Sequence, residues 1–302
     1  MADAIVLAGG KVKKSLFDPI KFLWYYAIYG ERYYFASGKY KPLIKVYNEI
    51  GGIKKPRPLV EYTLHSLFSS KNVEKIVVVG EKERLENSLD LKIKNYSSKC
   101  HIVQQRGGLI ENIIFGSSFL EKKGHALIIS ADSPLITSNS IDQFIEDCSN
   151  KKENFDFFFA ITSRKNLYKY EKVIYKPYFW MINDQREKGD IFKDKYDRSG
   201  FRVANMAFVD IEKKIKNRET IKMAYSLRKL KDPFNLFKIF QLYKKETIKY
   251  FSKTLKMSEV EKAISASFET RFKLIEVEDP NFSLDVDSEE DHKAIEFLQK
   301  SQ

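Results

Sequence analysis

A chain of 302 residues with 43% hydrophobic and 31% charged side chains holds material for one substantial core and is too apolar for an intrinsically disordered chain. Its formal net charge of +12 is spread from end to end without an arginine-rich block, so charge alone gives no argument for nucleic acid, and a Lys-rich solvated surface is the plainer reading. Cys100 and Cys148 are the only cysteines, which excludes a disulfide framework and a zinc cluster; no apolar run of about 18 residues and no leader-like N-terminus is seen, so a cytoplasmic, non-spanning protein is expected.

The first predicted strand is AIVL (4–7), an apolar run that ends at Gly9-Gly10. Residues 58–68 (PLVEYTLHSLF) carry apolar side chains at helical spacing, and KIVVV (75–79), closed by Gly80, reads as a second buried strand. A short strand at 100–103, a helix over 108–120 and a strand at ALII (126–129) follow. Residues 138–148 then read as an amphipathic helix opened by Ser and Asn caps.

Strands that alternate with helices and are apolar almost throughout imply a mostly parallel sheet covered on both faces, a Rossmann-like α/β three-layer sandwich. Ligands of such sheets bind beyond the carboxyl ends of the strands.

The second half is less regular. DFFFAI (156–161) and RVANMAFV (202–209) read as strands, and 211–272 as a helical insertion interrupted at Asp232-Pro233. A last strand is predicted at 282–286, with a terminal helix from Ser288. No internal repeat or low-complexity linker divides the chain, so 1–302 is read as one domain carrying an aromatic-rich insertion at 11–40 and the helical one at 211–272.

Three constellations carry chemistry. Leu7-Ala8-Gly9-Gly10 ends the first strand, and its glycines let backbone N–H groups approach an anion; a tight turn needs the same residues for steric reasons alone. Asp132, in SADSPL just past the ALII strand, stands where a cation bridging substrate phosphates would be held; capping the next turn is its plainer role. In LDVDSEED, Ser288 and Asp291 have capping-box spacing, while Asp285 and Asp287 alternate on one face and offer metal ligands.

Their order along the chain resembles the nucleotidyltransferases of GT-A-like fold, in particular the MobA-like NTP transferases and the sugar-acid cytidylyltransferases. In that resemblance AIVLAGG is the opening motif, Tyr40-Lys41-Pro42-Leu43-Ile44 the lysine segment, and KPRPLVEY (55–62) the following helix start. QQRGG (104–108) is similar to the base-contacting loop, RVAN (202–205) to a late Asn strand, and DVDSEED (285–291) to the terminal acidic motif. The likeness runs through 3–135 and returns near 200–210 and 282–298.

The resemblance implies a Mg²⁺-dependent transfer of NMP from a nucleoside triphosphate to a phosphorylated or sugar-like acceptor, with release of pyrophosphate. It implies that Asp132 binds the metal with Asp287 or Asp285, and that Lys41 neutralises triphosphate charge, making Lys41 and Asp132 the catalytic pair. Leu7, Ala8, Gly9, Gly10 and Lys11 would hold the nucleotide together with Asp132, and Gln105, Gly107 and Gly108 would border its base. Asn205, Lys176 and Arg164 are the candidate acceptor contacts, Lys176 and Arg164 on composition and position alone. The chain departs from the family after Gly10, where KVKKS (11–15) lacks the usual arginine and an aromatic stretch (FLWYYAIYGERYYF) intervenes before Lys41.

That stretch reads as packing first and as a lid or acceptor pocket second. The pattern at 234–251 reads as a homodimer face or an intramolecular cover, with a membrane surface or lipid-linked acceptor behind these. A non-catalytic nucleotide- or sugar-binding relative and a nucleotide-sugar glycosyltransferase are the alternative functions, and nucleic acid comes last among partners.

Overall fold

The computed structural model describes residues 1–9, 40–50, 53–89, 98–121, 124–170, 178–184, 190–214 and 243–300. The aromatic insertion (apart from Tyr40), Gly10, Lys11, Lys176 and most of the apolar pattern at 234–243 lie outside these residues.

The strand β1 (Ala2–Ala8) leads to a single 3₁₀ turn at Lys41–Leu43 and a hairpin, β2 (Lys45–Ile50) with β3 (Ile53–Pro58). The sequence reading missed this hairpin, because Pro56 and Pro58 argue against a strand. A two-stranded ribbon tolerates them, having no second neighbour on either side. Helix α1 (Leu59–Ser69), β4 (Val73–Gly80), α2 (Lys82–Ser88), β5 (Cys100–Gln104), α3 (Leu109–Ser117) and β6 (His125–Ser130) follow. Then come α4 (Ser138–Ser149), β7 (Phe157–Ser163), the short α5 (Arg164–Leu167), β8 (Phe179–Met181) and β9 (Ser199–Asp210). The chain continues through α6 (Ile211–Lys214), α7 (Lys244–Phe251), α8 (Met257–Ser267), β10 (Phe272–Glu276) and α9 (Glu289–Lys300).

The main sheet has the order β10-β7-β9-β6-β1-β4-β5, with β8 paired to β9. β1 lies parallel to both β4 and β6, β4 to β5 and β10 to β7; only β9 runs against its neighbours. The α/β architecture with a mostly parallel central sheet is therefore as expected.

The central strands are buried on both faces because their side chains alternate between two cores. Ala4, Val6, Ile76, Val78, Leu127 and Ile129 pack with Val60, Leu64 and Leu67 of α1 and with Phe144 and Ile145 of α4. Ile5, Val77, Val79 and Ala126 pack on the other face with Phe115 of α3 and with Ile211. At about 1.5–3 kcal/mol for each fully buried aliphatic side chain, these two layers are the main source of stability.

Three local expectations are corrected. Residues 282–286 form no strand: Pro280–Ser283 is a 3₁₀ turn, capped by the Asp279 carboxylate accepting from the Asn281 N–H at 2.9 Å. The last strand is β10, whose charged Lys273 and Glu276 obscure its pattern. Its outer edge is satisfied by side chains of α8, with Phe272 N–H donating to Ser265 Oγ at 3.0 Å and Leu274 N–H to Glu261 at 3.0 Å. Helix α4 is capped by neither Ser138 nor Asn139 but by Thr137, which accepts from the Ser140 N–H at 3.2 Å.

Candidate functional site

From β1 the chain builds β4 and β5 on one side, then crosses to the other side of β1 to make β6. The carboxyl ends of β1 and β6 flank the point where strand order reverses, which is where open α/β sheets take their ligands. Gly9 follows β1 there and Asp132 follows β6. The two ends are joined by Ala131 N–H donating to Leu7 O at 3.2 Å. The acidic segment 285–287, far along the chain, docks on the same edge through Val286 N–H to Asp132 O at 3.2 Å.

Lys41 is the centre of the arrangement. Its Nζ donates to Asp132 Oδ2 at 2.5 Å and to Asp287 Oδ1 at 2.7 Å. Burial disfavours the ammonium, but Asp132, Asp287 and Asp285 outweigh that and hold its pKa above the ordinary lysine value. Lys41 therefore stays charged at neutral pH. Its position is fixed from both sides: Pro42 is buried, and the buried Tyr40 hydroxyl donates to Ala8 O while accepting from the Glu81 N–H at 2.7 Å. Burial pushes the Tyr40 phenol up to about 12. The hydroxyl leaves no room beside β4 for anything larger than Gly80, whose Cβ would also stand 2.6 Å from Leu85 Cδ1 and 2.9 Å from Ala8 O.

Asp132, Asp285 and Asp287 each offer one carboxylate oxygen within 4.8 Å of the others, the one group with metal-holding spacing among the described residues. The residues fit a hard dication such as Mg²⁺: the donors are all carboxylate oxygens, and Asp132 Oδ1 is buried without a hydrogen-bond partner. Asp285 also faces the buried Arg202, 3.9 Å from its guanidinium, which donates to Ser283 O at 2.5 Å. Asp287 is held by a capping box at the start of α9. The Asp291 carboxylate accepts from Asp287 N–H and Ser288 N–H at 3.0 Å each, and Ser288 Oγ accepts from Asp291 N–H at 3.1 Å.

The loop after β5 closes on Gly9. A Cβ at Gly9 would lie 2.8 Å from Gln105 Oε1 and 3.3 Å from Asn112 Nδ2, so both amides border that glycine. Gln105 N–H donates to Gly80 O at 2.7 Å, and Asn112 Oδ1 accepts from Arg106 N–H at 2.6 Å. Gly107 has φ +75°, a conformation that favours glycine, and Gly108 N–H donates to Glu111 at the start of α3. Leu7, Ala8, Gly9, Gln105, Gly107, Gly108, Lys41, Asp132, Asp285 and Asp287 thus share one edge of the sheet.

The acceptor candidates do not gather in the same way. Asn205 is half-buried in β9, on the strand face opposite Arg202. Arg164, at the start of α5, places its guanidinium 5.9 Å from the ring centroids of both Tyr178 and Trp180. Tyr178 in turn packs against the apolar cluster that includes Leu284 and Val286, the neighbours of Asp285. Tyr40, Asn112 and Arg202 are members of the site that the sequence reading missed. Tyr40 and Arg202 stand in segments that were singled out, beside Lys41 and Asn205, but neither was assigned a role; Asn112 left no signal.

No protein-family model and no curated protein matches the sequence. Solved structures do match in fold. A hypothetical transferase from Thermus thermophilus superposes with a TM-score of 0.65 at 20% identity, over 97% of this chain and 100% of that one. CMP:2-keto-3-deoxy-manno-octonic acid synthetase complexed with CTP matches with a TM-score of 0.53 at 10% identity, over 100% and 99%. The 4-diphosphocytidyl-2C-methyl-D-erythritol synthase of Anaerococcus prevotii DSM 20548 matches with a TM-score of 0.50 at 14% identity, over 99% and 96%. The chain therefore shares the Rossmann-like α/β fold of these three proteins, which is the fold that the resemblance implies; none of the three singles out the MobA-like branch.

Proposed function

We propose that the protein is a nucleotidyltransferase of one domain, which transfers NMP from a nucleoside triphosphate to a phosphorylated or sugar-like acceptor and releases pyrophosphate. The observation that carries this reading is the convergence of Lys41, Asp132 and Asp287 on the strand-order reversal, beside Gly9 and the 105–108 loop. The fold shared with a CTP-bound synthetase and a diphosphocytidyl synthase supports it and makes CTP the first nucleotide to test.

In this reading Gly9 gives the nucleotide close approach to backbone, while Gln105, Gly107 and Gly108 border its base. Asp132, with Asp287 and Asp285, would hold Mg²⁺. When bound, the cation offsets the negative charge of the triphosphate. The Lys41 ammonium is charged at neutral pH and its backbone is anchored at the same edge, so it stabilises charge that develops on the phosphate oxygens as the acceptor oxygen attacks the α-phosphorus. Among the acceptor candidates we favour Arg164, since Tyr178, beside it, packs on the apolar cluster to which the flanks of Asp285 also belong.

The test is a thermal-shift and pyrophosphate-release panel with CTP, GTP, ATP and UTP, with and without Mg²⁺. Nucleotide at about one hundred times its Kd stabilises by about 2.7 kcal/mol. One nucleotide is expected to raise the Tm in a metal-dependent way, and Asp132→Asn is expected to lose that shift and to slow turnover by about a hundred-fold or more. Full turnover in Asp132→Asn would remove its metal role. Binding without pyrophosphate release over a broad acceptor panel would favour a non-catalytic relative.

A further inference from the structure

Two cations cannot share the space between Asp132 and Asp287, and the Lys41 ammonium fills it, at 2.5 Å from one carboxylate and 2.7 Å from the other. Among the described residues, three carboxylates face two cationic side chains there, Lys41 and Arg202, which offset much of the negative charge that an incoming dication would meet. A free divalent cation is thus opposed twice, by the occupied gap and by the neutralised charge.

The lysine backbone is not free to retreat. Tyr40 is tied to Ala8 and Glu81, Pro42 is buried, and Ile44 N–H closes the turn on Lys41 O at 3.0 Å. The side chain has a way out, since Lys41 is 22% exposed and Asp287 48% exposed. An anion arriving there offers the ammonium a new partner.

Resting on the reading of this cluster as the metal site, we propose that Lys41 is its resident counter-cation and an exchange switch. The ammonium occupies the Asp132–Asp287 gap in the empty protein and yields it to a divalent cation when a nucleoside triphosphate arrives to receive it. Cation and nucleotide then bind as a coupled pair, and free metal alone binds weakly. No bond forms or breaks in the exchange; one ion pair replaces another.

The experiment measures Mn²⁺ binding from the loss of the free-ion electron paramagnetic resonance signal. Wild type, Lys41→Met and Asp132→Asn are compared, without nucleotide and with CTP, GTP, ATP and UTP in turn, each against a protein-free blank because the triphosphate itself binds Mn²⁺. Lys41→Met is expected to bind Mn²⁺ alone roughly ten-fold more tightly than wild type, a coupling of ordinary size. In the unmodified chain, acetylation of Lys41 read by peptide mass spectrometry is expected to be slow without metal and to accelerate in saturating Mn²⁺, so the proposal does not depend on the variant folding. Equal or weaker Mn²⁺ binding by a folded Lys41→Met overturns the exchange, as does unchanged Lys41 labelling. If Mn²⁺ still binds wild type in an Asp132-dependent way, the metal site survives that result. No Mn²⁺ uptake beyond the protein-free blank by any form, with or without nucleotide, removes the metal site and the exchange together.

Discussion

Replacing Tyr40 by Phe tests whether the lysine segment is anchored as described. The hydroxyl is buried in a residue 4% exposed; it donates to Ala8 O and accepts from Glu81 N–H at 2.7 Å, joining the ends of β1 and β4. Phe fills nearly the same volume, so no large cavity forms and the loss is one of hydrogen bonds. Each bond contributes about 0.5–1.5 kcal/mol net, and a buried donor or acceptor stripped of its partner costs about 1–3 kcal/mol. The Ala8 carbonyl keeps a second lone pair, which places the sum at about 2–4 kcal/mol. Urea unfolding should show this as a lower midpoint at unchanged slope.

The phenol adds a pH signature. Its folded pKa is pushed up to about 12 from an ordinary 10.0, chiefly by burial. A raised pKa gives stability that is complete below pH 10 and is lost as pH rises toward 12. The gap between wild type and Tyr40→Phe should therefore be constant at neutral pH and shrink across that window. A loss below about 0.5 kcal/mol, or a gap that stays constant to pH 12, would refute the anchoring.

Other perturbations follow from the same geometry. Gly80→Ala should cost about 1–3 kcal/mol of stability in urea, since the methyl would press on the Tyr40 hydroxyl, on Leu85 Cδ1 at 2.6 Å and on Ala8 O at 2.9 Å; a neutral result would show that the strand ends are loose. Ser288→Ala removes one arm of the capping box and should cost about 1 kcal/mol, measured the same way, with no change in urea slope. Asp156, bonded by Arg271 and Lys213, has its carboxyl held below the ordinary 3.8 chiefly by the Arg271 guanidinium, against the opposing effect of burial. A depressed pKa gives stability present above 3.8 and lost as pH falls below it. Wild type should therefore lose stability there more steeply than Asp156→Asn, and parallel acid titrations of the two would count against the pairing.

How much of this was legible in the sequence depends on how local each signal is. AIVL, KIVVV and ALII declare buried parallel strands because both of their faces are apolar, and the observed β1, β4 and β6 extend each by one or two residues at either end. Asp132 and Gly9 were legible because they follow such strands directly. β2 and β3 were not: residues 45–58 carry prolines and charges, and their pairing is stabilised from outside by Tyr62 donating to Val46 O at 2.8 Å and His292 bonding Lys45 O at 2.8 Å. Arg202 looks like any arginine at a strand start until the chain returns with Ser283 and Asp285 to face it. The meeting of Lys41 with Asp287 is likewise non-local, and no spacing rule carries it.

The same non-local assembly explains what the site is suited to do. Asp132 is fixed by the end of β6, Asp287 by the capping box of α9, and the Lys41 backbone by Tyr40 and Pro42. Each anchor is a backbone hydrogen bond or a buried ring, so the charges are positioned before any ligand arrives. A preorganised site of this kind requires little rearrangement when charge develops on a bound phosphate. The exception is the ammonium at the end of the long Lys41 side chain, whose carboxylate partners remain part-exposed. Under the proposed exchange, a rigid acidic frame with one movable cation would discriminate between an empty site, in which the lysine satisfies the carboxylates, and one holding a polyanion, in which the lysine and a metal would divide the two sets of charges. In the proposed exchange that division follows from placement, and Lys41 would be the residue on which metal and nucleotide binding both depend.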